Sequence, residues 1–155
     1  LCKNDESIIS SFHIMNNAIE LKKNVIIKYF IPKIRDSLND LTFLFEGIDK
    51  DFLIPSNRVI GDKWWGFVVK KKDEDFKNVK IRFEFEDDSF SKMNCSLRLF
   101  NKNDNNIFNK KTFDWDIKCF VDLVKDDDTE IIRILNDYIR IKLKEANEYD
   151  KKCST

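Results

Sequence analysis

Three stretches decide the fold: Lys63-Trp64-Trp65-Gly66-Phe67-Val68-Val69-Lys70, Val79-Lys80-Ile81-Arg82-Phe83-Glu84-Phe85-Glu86 and Cys95-Ser96-Leu97-Arg98-Leu99-Phe100. The middle stretch alternates strictly. Ile81, Phe83 and Phe85 point one way, and Lys80, Arg82, Glu84 and Glu86 the other, as in a strand with one buried and one wet face. Polar breaks at Lys71-Lys72-Asp73-Glu74-Asp75 and Asp87-Asp88-Ser89 join the three strands into an antiparallel meander.

Helical periods flank this meander. Ile8, Phe12, Met15, Ile19 and Ile26 form an apolar stripe, with Asn4 or Asp5 as cap. Pro32 breaks or kinks that helix, since it lacks an N–H and crowds the preceding turn. The stripe resumes through Phe30, Ile34, Leu38, Leu41 and Phe45 to Gly47, although residues 41–45 also alternate like a strand. Residues 48–62 are a connection, and Asn101 to Lys111 a polar loop. Trp115, Phe120, Leu123 and Val124 form a short anchor. A final helix follows Asp127-Asp128-Thr129-Glu130, with Ile132, Leu135, Ile139, Leu143 and Ala146 on one face. The expected architecture is one α+β domain over residues 1–155: N-terminal helices, a three-stranded antiparallel meander, and a C-terminal helix packed on the sheet.

Composition agrees with a packed core, at 42% hydrophobic and 13% aromatic residues. Lys+Arg and Asp+Glu both total 28, so no overall field draws the chain to nucleic acid or to a membrane. No run of about 20 apolar residues spans a bilayer. The chain begins Leu1-Cys2-Lys3 without Met or a signal peptide, and the expectation is a piece of a longer bacterial cytoplasmic protein. Cys2, Cys95, Cys119 and Cys153 lack metal or redox spacing, as in a reduced compartment.

Catalytic vocabulary is sparse. His13 is the lone histidine and reads as structural, and no phosphate loop, dinucleotide fingerprint or other cofactor motif is legible. Glu84, Glu86 and Asp88 recur at period two and are the candidate ligands for a divalent cation. Pairing of these carboxylates with Arg82 and Arg98 is the preferred reading, so no metal and no catalytic residue is assigned. Lys70-Lys71-Lys72 and Lys110-Lys111 are the positions for phosphate contacts, and the acidic residues after the first run favour a solvated turn.

Strand one is apolar on both faces, with Trp64 and Val68 on one and Trp65, Phe67 and Val69 on the other. Trp64, Trp65 and Phe67 are therefore the candidate interaction residues, toward another domain of the parent protein or a second copy of the chain.

Trp64-Trp65-Gly66-Phe67, Ile81-Arg82-Phe83-Glu84-Phe85 and the Trp115 segment give residues 15–148 a resemblance. It is to the C-terminal region of bacterial proteins grouped with the PD-(D/E)XK nuclease superfamily. That superfamily's Asp/Glu-x-Lys signature is absent from strand two, which reads Glu84-Phe85-Glu86, and Glu20-Leu21-Lys22 lies in a helix. The resemblance thus implies a non-catalytic accessory or interaction domain attached to a nuclease. The alternatives are a metal-dependent phosphodiester hydrolase using Glu84, Glu86 and Asp88, and a nucleic-acid-binding module using the lysine runs.

Overall fold

The computed structural model describes residues 14, 17–50, 58–72, 79–99, 107–126 and 128–153. Its sheet is antiparallel and has five strands in sequence order: β1 (Leu41–Phe45), β2 (Gly66–Lys71), β3 (Val79–Phe85), β4 (Lys92–Leu99) and β5 (Ile107–Asp114). The expected three strands are its centre, and two edges extend them. Residues 41–45 are a strand because Leu41, Phe43 and Phe45 alternate toward the core, while the helix before them ends at Ser37. Gly47 adopts φ +69° in the turn after β1 and does not end a helix. The expected polar loop gives way to β5 from Ile107. Lysines suit this edge position, where unpaired backbone groups face solvent.

The N-terminal helical arm comprises α1 (residues 17–25), a π-helical turn (Ile26–Phe30) and α2 (Ile31–Ser37). Pro32 explains the wide turn. Its ring would crowd the carbonyl four residues back, and the chain opens so that the Ile31 N–H bonds to the Ile26 carbonyl. Pro32 therefore widens the helix without ending it. On the C-terminal side, α3 (Ile117–Lys125) is capped by Asp116, whose side chain accepts from the Cys119 N–H at 3.0 Å. The long α4 (Glu130–Cys153) follows. Asn4, Asp5, Ile8, Phe12, His13, Met15 and Asp127 lie outside the described residues.

The core lies between one face of the sheet and the helices. Aligned register rows fill it: Phe45, Phe67, Phe83 and Cys95 sit side by side across four strands, and Phe43, Val69, Ile81 and Leu97 form the next row. Phe67 and Phe83 stack at 4.9 Å with rings 6° from parallel. Trp115 ties the helices to this layer, meeting Phe30 at 5.1 Å, Phe85 at 5.0 Å and Phe120 at 5.5 Å edge-on. Ile132, Leu135, Ile139, Leu143 and Ala146 of α4 are all buried, as their spacing predicts. No helix among the described residues is long and apolar enough to cross a membrane.

Candidate functional site

The opposite face of the sheet carries Leu44, Val68, Arg82 and Ser96 in one row and Gly66, Glu84, Asn94 and Thr112 in the next. The sequence predicts a wet face here, and the structure corrects that. Lys80, Arg82, Glu84, Asn94 and Ser96 are all buried, as is Glu46 just beyond β1. Charges tolerate this because they neutralise one another. Arg82 bonds Glu46 through Nη2 and Glu84 through Nε at 3.2 Å, and Arg98 bonds the second oxygen of Glu84. Burial pulls the Arg82 guanidinium below its ordinary value, and the Glu84 charge opposes that shift.

The three carboxylates proposed as metal ligands do not converge. Glu84 is held by two arginines, Glu86 accepts from the Asn94 amide at 3.2 Å, and Asp88 is exposed in the turn after β3. Period two ends with the strand at Phe85, so Asp88 leaves the shared face. No group of three metal-ligating side chains comes together among the described residues.

The tryptophan pair is divided by a turn, not by strand alternation. β2 begins only at Gly66, and Trp64 takes φ +63°. This left-handed residue swings Trp65 and Phe67 into the core, where both are fully buried. Trp65 Nε1 donates to the Glu46 carbonyl at 2.9 Å. Trp64 stays half-buried on the polar face, and its carbonyl accepts from Arg82 Nη2 at 3.0 Å. Of the three interaction candidates, Trp64 alone retains surface. It forms one wall of a pocket of about 230 Å³ with Arg58, Glu84, Asn94, Ser96, Arg98 and Lys110.

A second site has no counterpart in the sequence reading. Ala18, Leu21 and Val25 of α1 face Ile117, Phe120, Val121 and Val124 of α3 across an apolar groove of about 360 Å³. Phe120 and Val25 are its buried floor, while Leu21 is 65% exposed and Ile117 73% exposed. Ile14, one turn before Ala18, continues the open stripe. Among the described residues, the charged ones that line it are Lys22 and Lys125. Lys22 donates to the Ser89 carbonyl at 2.8 Å and lies 5.4 Å from the centre of the Phe120 ring. Nearby Glu20 and Asp122 are neutralised by Lys23 and Lys118. The overlooked signal is in α3, where Phe120 and Leu123 supply the core and Ile117, Val121 and Val124 form a second apolar stripe at helical spacing.

Comparison with family models, with curated proteins and with solved structures returns no match.

Proposed function

We propose that this chain is a non-catalytic interaction domain whose α1–α3 groove docks an amphipathic helix with acidic residues beside its apolar stripe. The exposed apolar groove carries the reading. Large apolar side chains open to solvent in one concave strip suit helix-in-groove recognition, which uses anchors at helical spacing. The rim selects the partner. Both charges that the described residues place there are positive, so acidic flanks on the incoming helix are attracted. A second copy docking through the same strip would bring two more lysines to a rim that already carries Lys22 and Lys125, which disfavours self-association. The accessory role implied by the resemblance fits this reading, with the helix on another domain or another protein.

Two synthetic helical peptides test it, sharing one Leu/Ile stripe and flanked by Glu in one and Lys in the other. Fluorescence anisotropy should show the acidic peptide binding at least about tenfold more tightly. The exposed substitution Val121→Glu should abolish that binding and leave the melting temperature unchanged. Equal binding of both peptides, or of neither, overturns the proposal. So does a wild-type dimer in sedimentation equilibrium that Val121→Glu converts to monomer, because that result assigns the groove to a second copy.

A further inference from the structure

The outer edge of β5 is an open side of the sheet, and the ladder shows which backbone groups it presents. The Trp115 N–H donates inward to the Ser91 carbonyl at 2.7 Å, and the Lys92 carbonyl accepts from the Glu86 N–H at 3.1 Å. Lys92 thus turns its backbone toward β3, and Asp114, its register partner on β5, turns away from β4. Backbone direction alternates along a strand, so Thr112 faces outward too. No donor or acceptor among the described residues covers these outward groups. The opposite edge differs. At β1 the Phe45 N–H donates to the Asp49 carboxylate at 2.6 Å, and the Phe43 carbonyl accepts from Arg35 Nη2 at 3.5 Å. On β5 the side chains of Lys110, Thr112 and Asp114 are exposed on the polar face of the sheet. Neither the Lys110 ammonium nor the Asp114 carboxylate has an ion-pair partner among the described residues.

We infer that β5 pairs antiparallel with β5 of a second copy of the chain, with Thr112 of each opposite its equivalent. A two-fold axis through that pair joins the two sheets edge to edge. Thr112 then exchanges N–H···O bonds with Thr112 of the partner subunit, using the groups that face outward on both. The same register sets Lys110 opposite the partner's Asp114 and Asp114 opposite the partner's Lys110, so both lone charges are matched. Lysine on an edge strand ordinarily deters pairing. Here it selects one register. A slip of one residue sets outward-facing groups against inward-facing ones. A slip of two residues in one direction sets Lys111 against its own equivalent. In the other direction it carries Lys110 past the end of the partner strand at Asp114. The register shift between Cys95 and Leu97 disturbs β5 before Lys111, so the regular run is short. The dimer is accordingly weak and governed by concentration. It does not involve the α1–α3 groove.

Sedimentation equilibrium of the full chain at pH 7.5 should show a monomer–dimer equilibrium as concentration rises to about 1 mM. Lys110→Glu should weaken the dimer at least about tenfold, because two like-charge pairs replace two opposite ones. Asp114→Lys should do the same. Both residues are exposed, so neither change should move the melting temperature. The double variant Lys110→Glu/Asp114→Lys should restore the dimer, since the pairs re-form with their signs exchanged. Thr112→Cys reads the register directly. Residues opposite each other in a hydrogen-bonded pair lie about 5.5 Å apart at Cα, within reach of a disulfide. Mild oxidation should therefore link two chains through position 112, identified by peptide mapping, and Lys110→Cys should not link through position 110. Val121→Glu should leave the dimer intact. A wild type that stays monomeric throughout overturns the inference, as does a dimer that Lys110→Glu leaves unchanged or that Val121→Glu dissociates. A monomeric wild type whose Thr112 and Asp114 amides shift saturably with an extended Asp/Val peptide also overturns it, and gives the edge to another protein.

Discussion

A β-carbon built on Gly66 would sit 1.8 Å from the carbonyl oxygen of Phe83 on the neighbouring strand. Gly66 pairs with Glu84 at the start of β2, and the absence of a side chain lets the two strands approach where the polar face is most crowded. The obstacle is backbone, so no rotamer change relieves it. Gly66→Ala should therefore destabilise the domain by at least about 3 kcal/mol in urea unfolding. Gly61→Ala is the contrast. Its added carbon meets only the flexible end of Lys23, and the cost should be the about 1–2 kcal/mol of a left-handed alanine. Equal costs at the two positions would show that β2 and β3 separate freely.

Trp64 holds a left-handed backbone that a bulky residue adopts reluctantly. Trp64→Gly should accordingly be more stable than Trp64→Ala by about 1 kcal/mol, although glycine is the more flexible residue in the unfolded chain. Trp65 obeys the opposite logic. It is fully buried and donates to the Glu46 carbonyl, so Trp65→Ala should cost about 3–5 kcal/mol. Chemical denaturation of the three variants separates a turn residue from a core residue within one dipeptide.

The centre of the fold was legible in the sequence because β3 alternates without a fault and its neighbours carry aromatics at matching positions. The edges were not. Leu41-Thr42-Phe43-Leu44-Phe45 satisfies both a helical stripe continued from Ile34 and a strand, and only pairing with β2 decides between them. Ile107–Asp114 holds two lysines and an asparagine, which read as loop, and a register shift between Cys95 and Leu97 further obscures its alternation. The candidate sites were less legible still. Lys80, Arg82 and Glu84 read as solvated because charge usually means surface, yet Glu46, 36 residues before Arg82, closes the network that permits their burial. Arg58 and Lys110 come from distant segments onto one face and have no local signature.

The same network makes a prediction about stability. Arg82→Met removes the cation that Glu46 and Glu84 share and should cost about 3 kcal/mol or more, because buried Glu46 loses its nearest partner and Glu84 one of its two arginines. Urea unfolding measures the loss. A cost under about 1 kcal/mol would mean that Arg58 and Arg98 hold the two carboxylates without Arg82.

Cysteine chemistry offers the last test, since Cys95 and Cys119 differ in how far the fold hides them. Burial beneath α4 pushes the Cys95 thiol far above its ordinary value. Cys119, half-buried on α3 beside Asp116, is pushed up to about 11, first by burial and then by its bond with the Asp116 carboxylate. Thiolate is the reactive form, so at pH 8 only about one Cys119 in a thousand is competent for alkylation. Its labelling rate should rise about tenfold per pH unit from 8 to 10. Cys95 should react only when the domain unfolds, with a rate that rises with urea in step with global unfolding. Both folded-state values lie above the unfolded one, so both thiols favour folding below about pH 8.5, and that contribution declines as pH climbs through the alkaline range. Peptide mapping after iodoacetamide treatment resolves these two residues from Cys2 and Cys153. Native-state labelling of Cys95 as fast as that of Cys119 would show that α4 lifts from the sheet without global unfolding, and the aromatic rows of the core would then not hold the helix in place.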